Sequence, residues 1–275
     1  MNSIIIPHRN RNRQLALCIW SIAMSAVTCD VDDWEIVVVD NGSDYPPLAS
    51  RRHVRVVRDL TEMPVFNKSR LLNLGIHEAA GDVLTFLDAD ALVGATWLEW
   101  PLLAFAACPD LVRLCYRVRY YPSLSDLTGD DTQKDAECQR AFREIERDRQ
   151  PVANRLFARD YDCLDHGWEA TGHPGHNSIE PGRSIHGNSQ FSIRREHLGD
   201  LRFDEEYAGH GLEDLDFNQQ IFAKFGKDYW GYLATDPQRN LIHLRHTYQT
   251  DWKAPYSYAQ NAERYQRKWK DVKPL

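Results

Sequence analysis

A chain of 275 residues with 43% hydrophobic and 27% charged side chains has room for one large α/β domain with a filled core. Its net charge of -7 argues against nucleic acid as a default partner, because a phosphate backbone calls for a basic face. No run reaches the roughly 18 apolar residues that span a bilayer, the opening Ile4-Ile5-Ile6 is too short for a signal peptide, and six cysteines without a C-x-x-C pair suggest neither a zinc knuckle nor a disulfide framework. The expectation is a cytoplasmic protein with at most peripheral membrane contact.

SIIIPH predicts a first strand, Arg13 to Val27 a helix, WEIVVVD and HVRVV two more strands, Asn67 to Ala80 a second helix and DVLTFLD a fourth strand. Nearly continuous Ile, Val and Leu runs alternating with helices call for a mostly parallel sheet covered on both faces. Ligands bind such sheets beyond the carboxyl ends of the strands. Three strands end in polar residues there: Pro7-His8-Arg9-Asn10, Asp40-Asn41-Gly42-Ser43-Asp44 and Asp88-Ala89-Asp90.

A helix near Thr96 to Ala107 and a strand near Leu111 to Val118 follow. The charged stretch from about Pro122 to Asp165, with the helical TQKDAECQRAFREIERDRQ in its midst, reads as a solvated surface excursion. HGWEATGHPGHNSIEPGRSIHGN is rich in Gly and Pro and predicts a long loop, a candidate lid that begins at Trp168 and closes near 172 to 187. SQFSIRR predicts a strand, Leu212 to Phe225 a helix, Tyr229 to Ala234 and Asn240 to Leu244 strands, and Tyr256 to Lys270 a final amphipathic helix. The expected organisation is a single domain over 1-275, with a nucleotide-binding half (1-118), a helical insertion and lid (119-187) and an acceptor half (188-275).

Three constellations carry chemistry. On an extended backbone Asp88 and Asp90 would project to one side and repel, unless a divalent cation neutralises them. In GHGLEDLDFNQQIF, Gly209 and Gly211 permit a tight turn. Glu213, Asp214 and Asp216 then fall in the first turn of a helix, where the dipole favours negative charge. Plain helix capping explains one such carboxylate; three leave one available as a general base. In His243-Leu244-Arg245-His246, both imidazoles reach one metal only if the chain turns between them, and His246, nearer the loop, is the preferred single ligand.

The stretches SIIIPHRNR, VFNKSRLLNLGI, FLDADALV, GNSQFSIRR, GHGLEDLDFNQQIF and HLRH, in this order, resemble the β-1,4-galactosyltransferase-like, metal-dependent GT-A glycosyltransferases, with looser similarity to bacterial family 2 enzymes. The resemblance covers about residues 2 to 94 and 185 to 248. It implies a Rossmann-like GT-A fold in which Pro7, His8, Arg9 and Arg11 line a uridine diphosphate site, with Asp40 near the uracil or ribose. Phe66 and Lys68 would lie beside the nucleotide and pyrophosphate, and Asp88 and Ala89 would approach the ribose or the metal-bound phosphate. Asp90 would bind Mn²⁺ or Mg²⁺ directly. The family's second metal segment, Met-x-x-His, reads His243-x-x-His246 here, and imidazole suits Mn²⁺ and its neighbours. Asp214 matches the catalytic base, with Glu213 shaping the acceptor pocket.

Two departures are His210 in place of a tryptophan and Leu212 in place of a glycine. The implied activity is inverting transfer from a UDP-sugar, of galactose or N-acetylhexosamine type, to a hydroxyl of a glycan, glycoconjugate or lipid-linked saccharide. A nucleotidyltransferase is the alternative enzyme, but PHRNRNRQ has no glycine for a phosphate loop. A non-catalytic sugar-nucleotide or glycan-binding module is the other, and it predicts damage to an acid and base set that is present.

Overall fold

The computed structural model describes residues 1–47, 52–61, 65–116, 118–122, 129–158, 190–209, 211–226, 237–239, 241–245 and 258–271. Strands are β1 (Asn2–His8), β2 (Trp34–Asp40), β3 (Val54–Arg58), β4 (Val83–Phe86), β5 (Ala91–Val93), β6 (Arg113–Cys115), β7 (Val118–Tyr121), β8 (Phe191–Arg194) and β9 (Leu241–Leu244). Helices are α1 (Asn12–Cys29), α2 (Lys68–Glu78), α3 (Trp100–Ala107), α4 (Asp131–Arg147), α5 (Arg149–Ala158), α6 (Arg195–Leu198), α7 (Glu213–Phe225) and α8 (Tyr258–Trp269). The main sheet has the order β3-β2-β1-β4-β8-β6. Its first four strands are parallel, and β8 runs against both neighbours. A second sheet, β5-β9-β7, stands at the end of β4.

Alternation along β1 divides the core. Ile4 and Ile6 join α1 and α3 on one face, while Ile5 joins α2 and α7 on the other. The strand is buried along its whole length, as the continuous apolar run requires. Gly75 lets α2 lie close to the sheet: a Cβ there would stand 2.3 Å from Ile5 Cγ2. α2 begins at Lys68, next to its cap Asn67.

The charged stretch after β7 differs from the expected solvated excursion. α4 opens with a capping box, Asp130 and Gln133 bonding each other's backbone N–H. Then Phe142, Ile145, Leu156 and Phe157 of α4 and α5 form a third core cluster with Leu17, Leu92, Ile242 and Leu244. The polar majority faces water, while a narrow apolar stripe finds partners on β5 and β9. The strand expected near Leu111 to Val118 is two strands, because β6 pairs in the main sheet and β7 in the second. The proposed lid, Trp168, the strand expected at 229 to 234, His210 and His246 lie outside the described residues. Among the described residues no helix is long and apolar enough to cross a membrane.

Candidate active site

The parallel register places His8 opposite Asp40 at the ends of β1 and β2. His8 Nδ1 lies 2.9 Å from Asp40 Oδ1, and His8 Nε2 accepts the Arg11 backbone N–H at 3.2 Å, which assigns the proton to Nδ1. Burial works against the Asp40 charge, but hydrogen bonds from His8 and Ser43 hold its carboxyl below the usual carboxylate range. Both side chains are wholly buried. His8 and Asp40 therefore shape the loop after β1 from beneath, and Pro7 is buried with them; Arg9 and Arg11 are the members of this group that reach the surface.

Asp88 and Asp90 converge by a route that differs from the expected extended backbone. The chain turns after Leu87, and the Ala91 N–H bonds the Asp88 carbonyl at 3.1 Å. The turn feeds β5, whose antiparallel register pairs Ala91 with His243, while the Leu244 N–H donates to the Asp90 carbonyl at 2.8 Å. This pairing brings in the imidazole: His243 Nε2 is 3.1 Å from Asp90 Oδ1. One ligand atom each from Asp88, Asp90 and His243 lie within 4.8 Å of one another. Of the two expected histidines, His243 is thus in the cluster.

Each carboxylate also has a cation of the chain beside it. Arg11 pairs with Asp90, and Lys68 Nζ donates to Asp88 Oδ1 at 2.5 Å. Gln190, just before β8, donates to Asp88 Oδ2 at 3.2 Å. Gln190 was not among the candidate residues, although it lies in the quoted GNSQFSIRR; a polar residue entering the strand that pairs with β4 is the signal for it.

The run Phe66-Asn67-Lys68 owes its form to the start of α2. The Asn67 side chain caps the helix by accepting the Arg70 N–H at 2.9 Å, and its amide donates to the Glu205 carbonyl at 2.6 Å. Asn73 clasps Phe203 in both directions, at 2.8 and 3.0 Å. The Gly209 N–H donates to the Phe66 carbonyl at 3.0 Å. Phe66 itself is buried, as is Ala89. Segment 203–209 is thereby stitched to α2 and delivered to the start of α7.

There the turn uses positive φ at Gly209 (73°), Gly211 (91°) and Leu212 (73°). The left-handed conformation at Leu212, the N-cap of α7, costs a residue with a Cβ about 1 to 2 kcal/mol. It accounts for the glycine that the resemblance expects at this position. Glu213 and Asp214 follow at once. Burial, then the neighbouring Asp214 charge, pushes the Glu213 carboxyl up to about 7, with Lys68 opposing. Burial also raises Asp214, against the pull of Lys68 and Arg113. For Lys68, burial favours the neutral amine, but Asp88, Glu213 and Asp214 outweigh it and raise the ammonium above its ordinary range. Lys68 thus stands electrostatically between the metal-type cluster and the carboxylate pair. Asp216, the third acid of the run, is fully buried and turned away toward α8.

Residues 3–158 match the model of glycosyl transferase family 2. The chain belongs to that family. A curated relative, glycosyltransferase AglE of Haloferax volcanii, is 30% identical over 101 residues, which are 35% of this chain and 33% of the relative. Among solved structures, S. aureus TarS 1-349 in complex with UDP-GlcNAc has a TM-score of 0.57 at 14% identity, covering 95% of this chain and 63% of that one. The mannosyltransferase PcManGT from Pyrobaculum calidifontis, in complex with GDP-Man and Mn²⁺, has a TM-score of 0.53 at 16% identity, covering 100% of this chain and 65% of that one. The chain therefore spans about a third of the curated relative's length and somewhat under two thirds of these solved chains. These likenesses show the GT-A fold, a mixed sheet flanked by helices, as the sequence predicts.

Proposed function

We propose that this member of family 2 is a divalent-metal-dependent, inverting glycosyltransferase that uses a UDP-sugar, of galactose or N-acetylhexosamine type, and a hydroxyl of a glycan, glycoconjugate or lipid-linked saccharide. The observation that carries the proposal is the convergence of Asp88, Asp90 and His243 at the strand ends, with Lys68 bonded to Asp88 and its charge felt by Glu213 and Asp214. The nucleotide sugars named for TarS and PcManGT, and the Mn²⁺ named for the latter, support this reading of the class of donor.

The donor set fits a cation. Two carboxylate oxygens and one imidazole nitrogen converge, a combination suited to Mn²⁺ and its transition-metal neighbours better than to Mg²⁺. Asp88, Asp90 and His243 would hold it; when bound it supplies Lewis-acid stabilisation to a departing diphosphate. Arg11 and Lys68, released from their carboxylates, are placed to meet phosphate oxygens, and Arg9 stands at the same strand end. Asp214 takes the proton of the acceptor hydroxyl as its oxygen bonds to the anomeric carbon. The bond from that carbon to the UDP oxygen breaks on the opposite side, so an α-linked donor gives a β-glycoside. Glu213 bounds the acceptor side, and burial keeps Asp214 from ionising too readily.

Calorimetric titration with UDP, with and without Mn²⁺ and after EDTA, tests the donor half. Micromolar binding that needs Mn²⁺ and weakens about 100-fold in Asp90→Ala supports the proposal. Binding that ignores metal, or keeps its affinity in that variant, rejects the metal role.

A further inference from the structure

The final helix lies outside the residues that match the family model, yet it touches the segment that bears the carboxylate pair at every turn. The contacts come from positions 258, 261, 264 and 268–269, one face of an α-helix. The Tyr258 ring stands at Gly211, where a Cβ would come within 3.1 Å of it. Asn261, 3% exposed, donates through its single amide nitrogen to the carbonyl of Ala208 at 3.1 Å, just before the glycine turn, and to that of Gly211 at 2.9 Å, within it. Arg264 and Lys268 pair with Asp204. Lys268 and Trp269 Nε1 also donate to the buried Asp216 carboxylate, at 2.9 and 2.8 Å, two residues beyond Asp214.

The contacts divide into two kinds. Those of Arg264 and Lys268 with Asp204 dock the helix on the run-up to the turn. The Asn261 amide instead holds the turn itself, tying its Gly211 carbonyl to the Ala208 carbonyl that precedes it. Leu212 follows directly, in a conformation that a residue with a Cβ resists and that persists only where its surroundings impose it. A carbonyl at Gly211 free to rotate would let Leu212 relax and carry Glu213 and Asp214 with it.

We propose that Asn261 is a positioning residue: its amide, bridging the carbonyls of Ala208 and Gly211, holds the strained turn at Leu212 and so aims Glu213 and Asp214 at the acceptor hydroxyl. The inference rests on the proposed role of Asp214. It makes α8 part of the catalytic half, though α8 contributes no reacting group.

The test compares Asn261→Asp, which keeps the shape and removes both donors, with Arg264→Met, which weakens the docking of the same helix on Asp204, Glu206 and Tyr207, ahead of the turn. Both are measured for melting temperature, for Mn²⁺-dependent UDP binding, for UDP release from UDP-galactose and from UDP-N-acetylglucosamine, and for amide exchange over residues 209–216. Misplacement of reacting groups by about an ångström lowers turnover on the order of 100-fold. Asn261→Asp is expected to lose that much kcat, with UDP affinity within about twofold of the wild type, and to exchange faster across the turn. Arg264→Met, at a similar loss of melting temperature, keeps kcat and turn protection within about threefold. Parallel losses in the two variants, scaling with melting temperature, overturn the proposal, as does an unchanged turn in Asn261→Asp. If wild-type protein binds UDP but releases none from either sugar, the choice of donor fails, and the exchange pattern alone decides the role of Asn261.

Discussion

The two acidic groups of the site are built on opposite principles. Asp88 and Asp90 sit on a turn between paired strands, and each has a cation of the chain within contact distance. Glu213 and Asp214 sit at the end of a strained turn and are raised by burial against the pull of Lys68, joined at Asp214 by Arg113. The first group is compensated and fixed by sheet register; in the second, burial outweighs the nearby positive charge, and its place depends on neighbouring helices. A carboxylate that must stay ionised to bind belongs in the first environment, and one that must gain and lose a proton belongs in the second.

The sharpest break between the two should come from single substitutions on each side. Asp214→Asn is expected to lower kcat by about 1,000-fold, within the span of general-base effects, while UDP and Mn²⁺ still bind; loss of binding along with turnover would show that the two halves are not separable. Asp90→Ala should do the converse and weaken Mn²⁺-dependent UDP binding by about 100-fold, the upper end of what even an outer-shell partner costs. Titration of both variants under the same conditions reads the contrast directly.

Lys68 joins the halves, so Lys68→Met should act on both. With the ammonium gone, Mn²⁺ no longer competes for Asp88, and the metal alone should bind roughly fivefold more tightly, the equivalent of ~1 kcal/mol between unit charges a few ångströms apart in water. The pH profile should move as well. The Glu213–Asp214 pair takes up a proton as pH falls through about 7, so turnover declines on the acid side. Removing the neighbouring cation raises the pair further and should shift that limb upward by about one unit. An unmoved limb would place the titration elsewhere. The smallest effect concerns the turn: Leu212→Gly removes the left-handed cost but gives the unfolded chain more freedom, for a net rise in melting temperature of roughly 1 to 2 °C.

The same contrast separates what the sequence reveals from what it hides. β1 to β4, α1 and α2 are legible because their apolar periods are long and polar residues follow the strands, so Asp88 and Asp90 can be located from the sequence alone. The acidic run of α7 is legible from Gly209 and Gly211. The convergence of His243 on Asp90 depends on β5 pairing with β9, a register between two short strands far apart in the chain. The core stripe of Phe142 and Ile145 hides within a charged helix because its partners, Ile242 and Leu244, come much later. An Asn on a polar terminal helix gives no hint that its amide closes a turn on another element. Leucine at 212 gives no hint of positive φ either; only the departure from an expected glycine marks it.

Gly75 has a reach beyond its own surroundings. α2 is a rod, and position 75 lies seven residues from Lys68, about 10 Å along the axis. The gap that admits Ile5 against bare backbone at one end is also a mechanical tolerance for the ammonium at the other. A methyl group added at the inner end would tilt the rod like a lever, and a fault in packing would register as a fault in charge placement without any change to a polar residue.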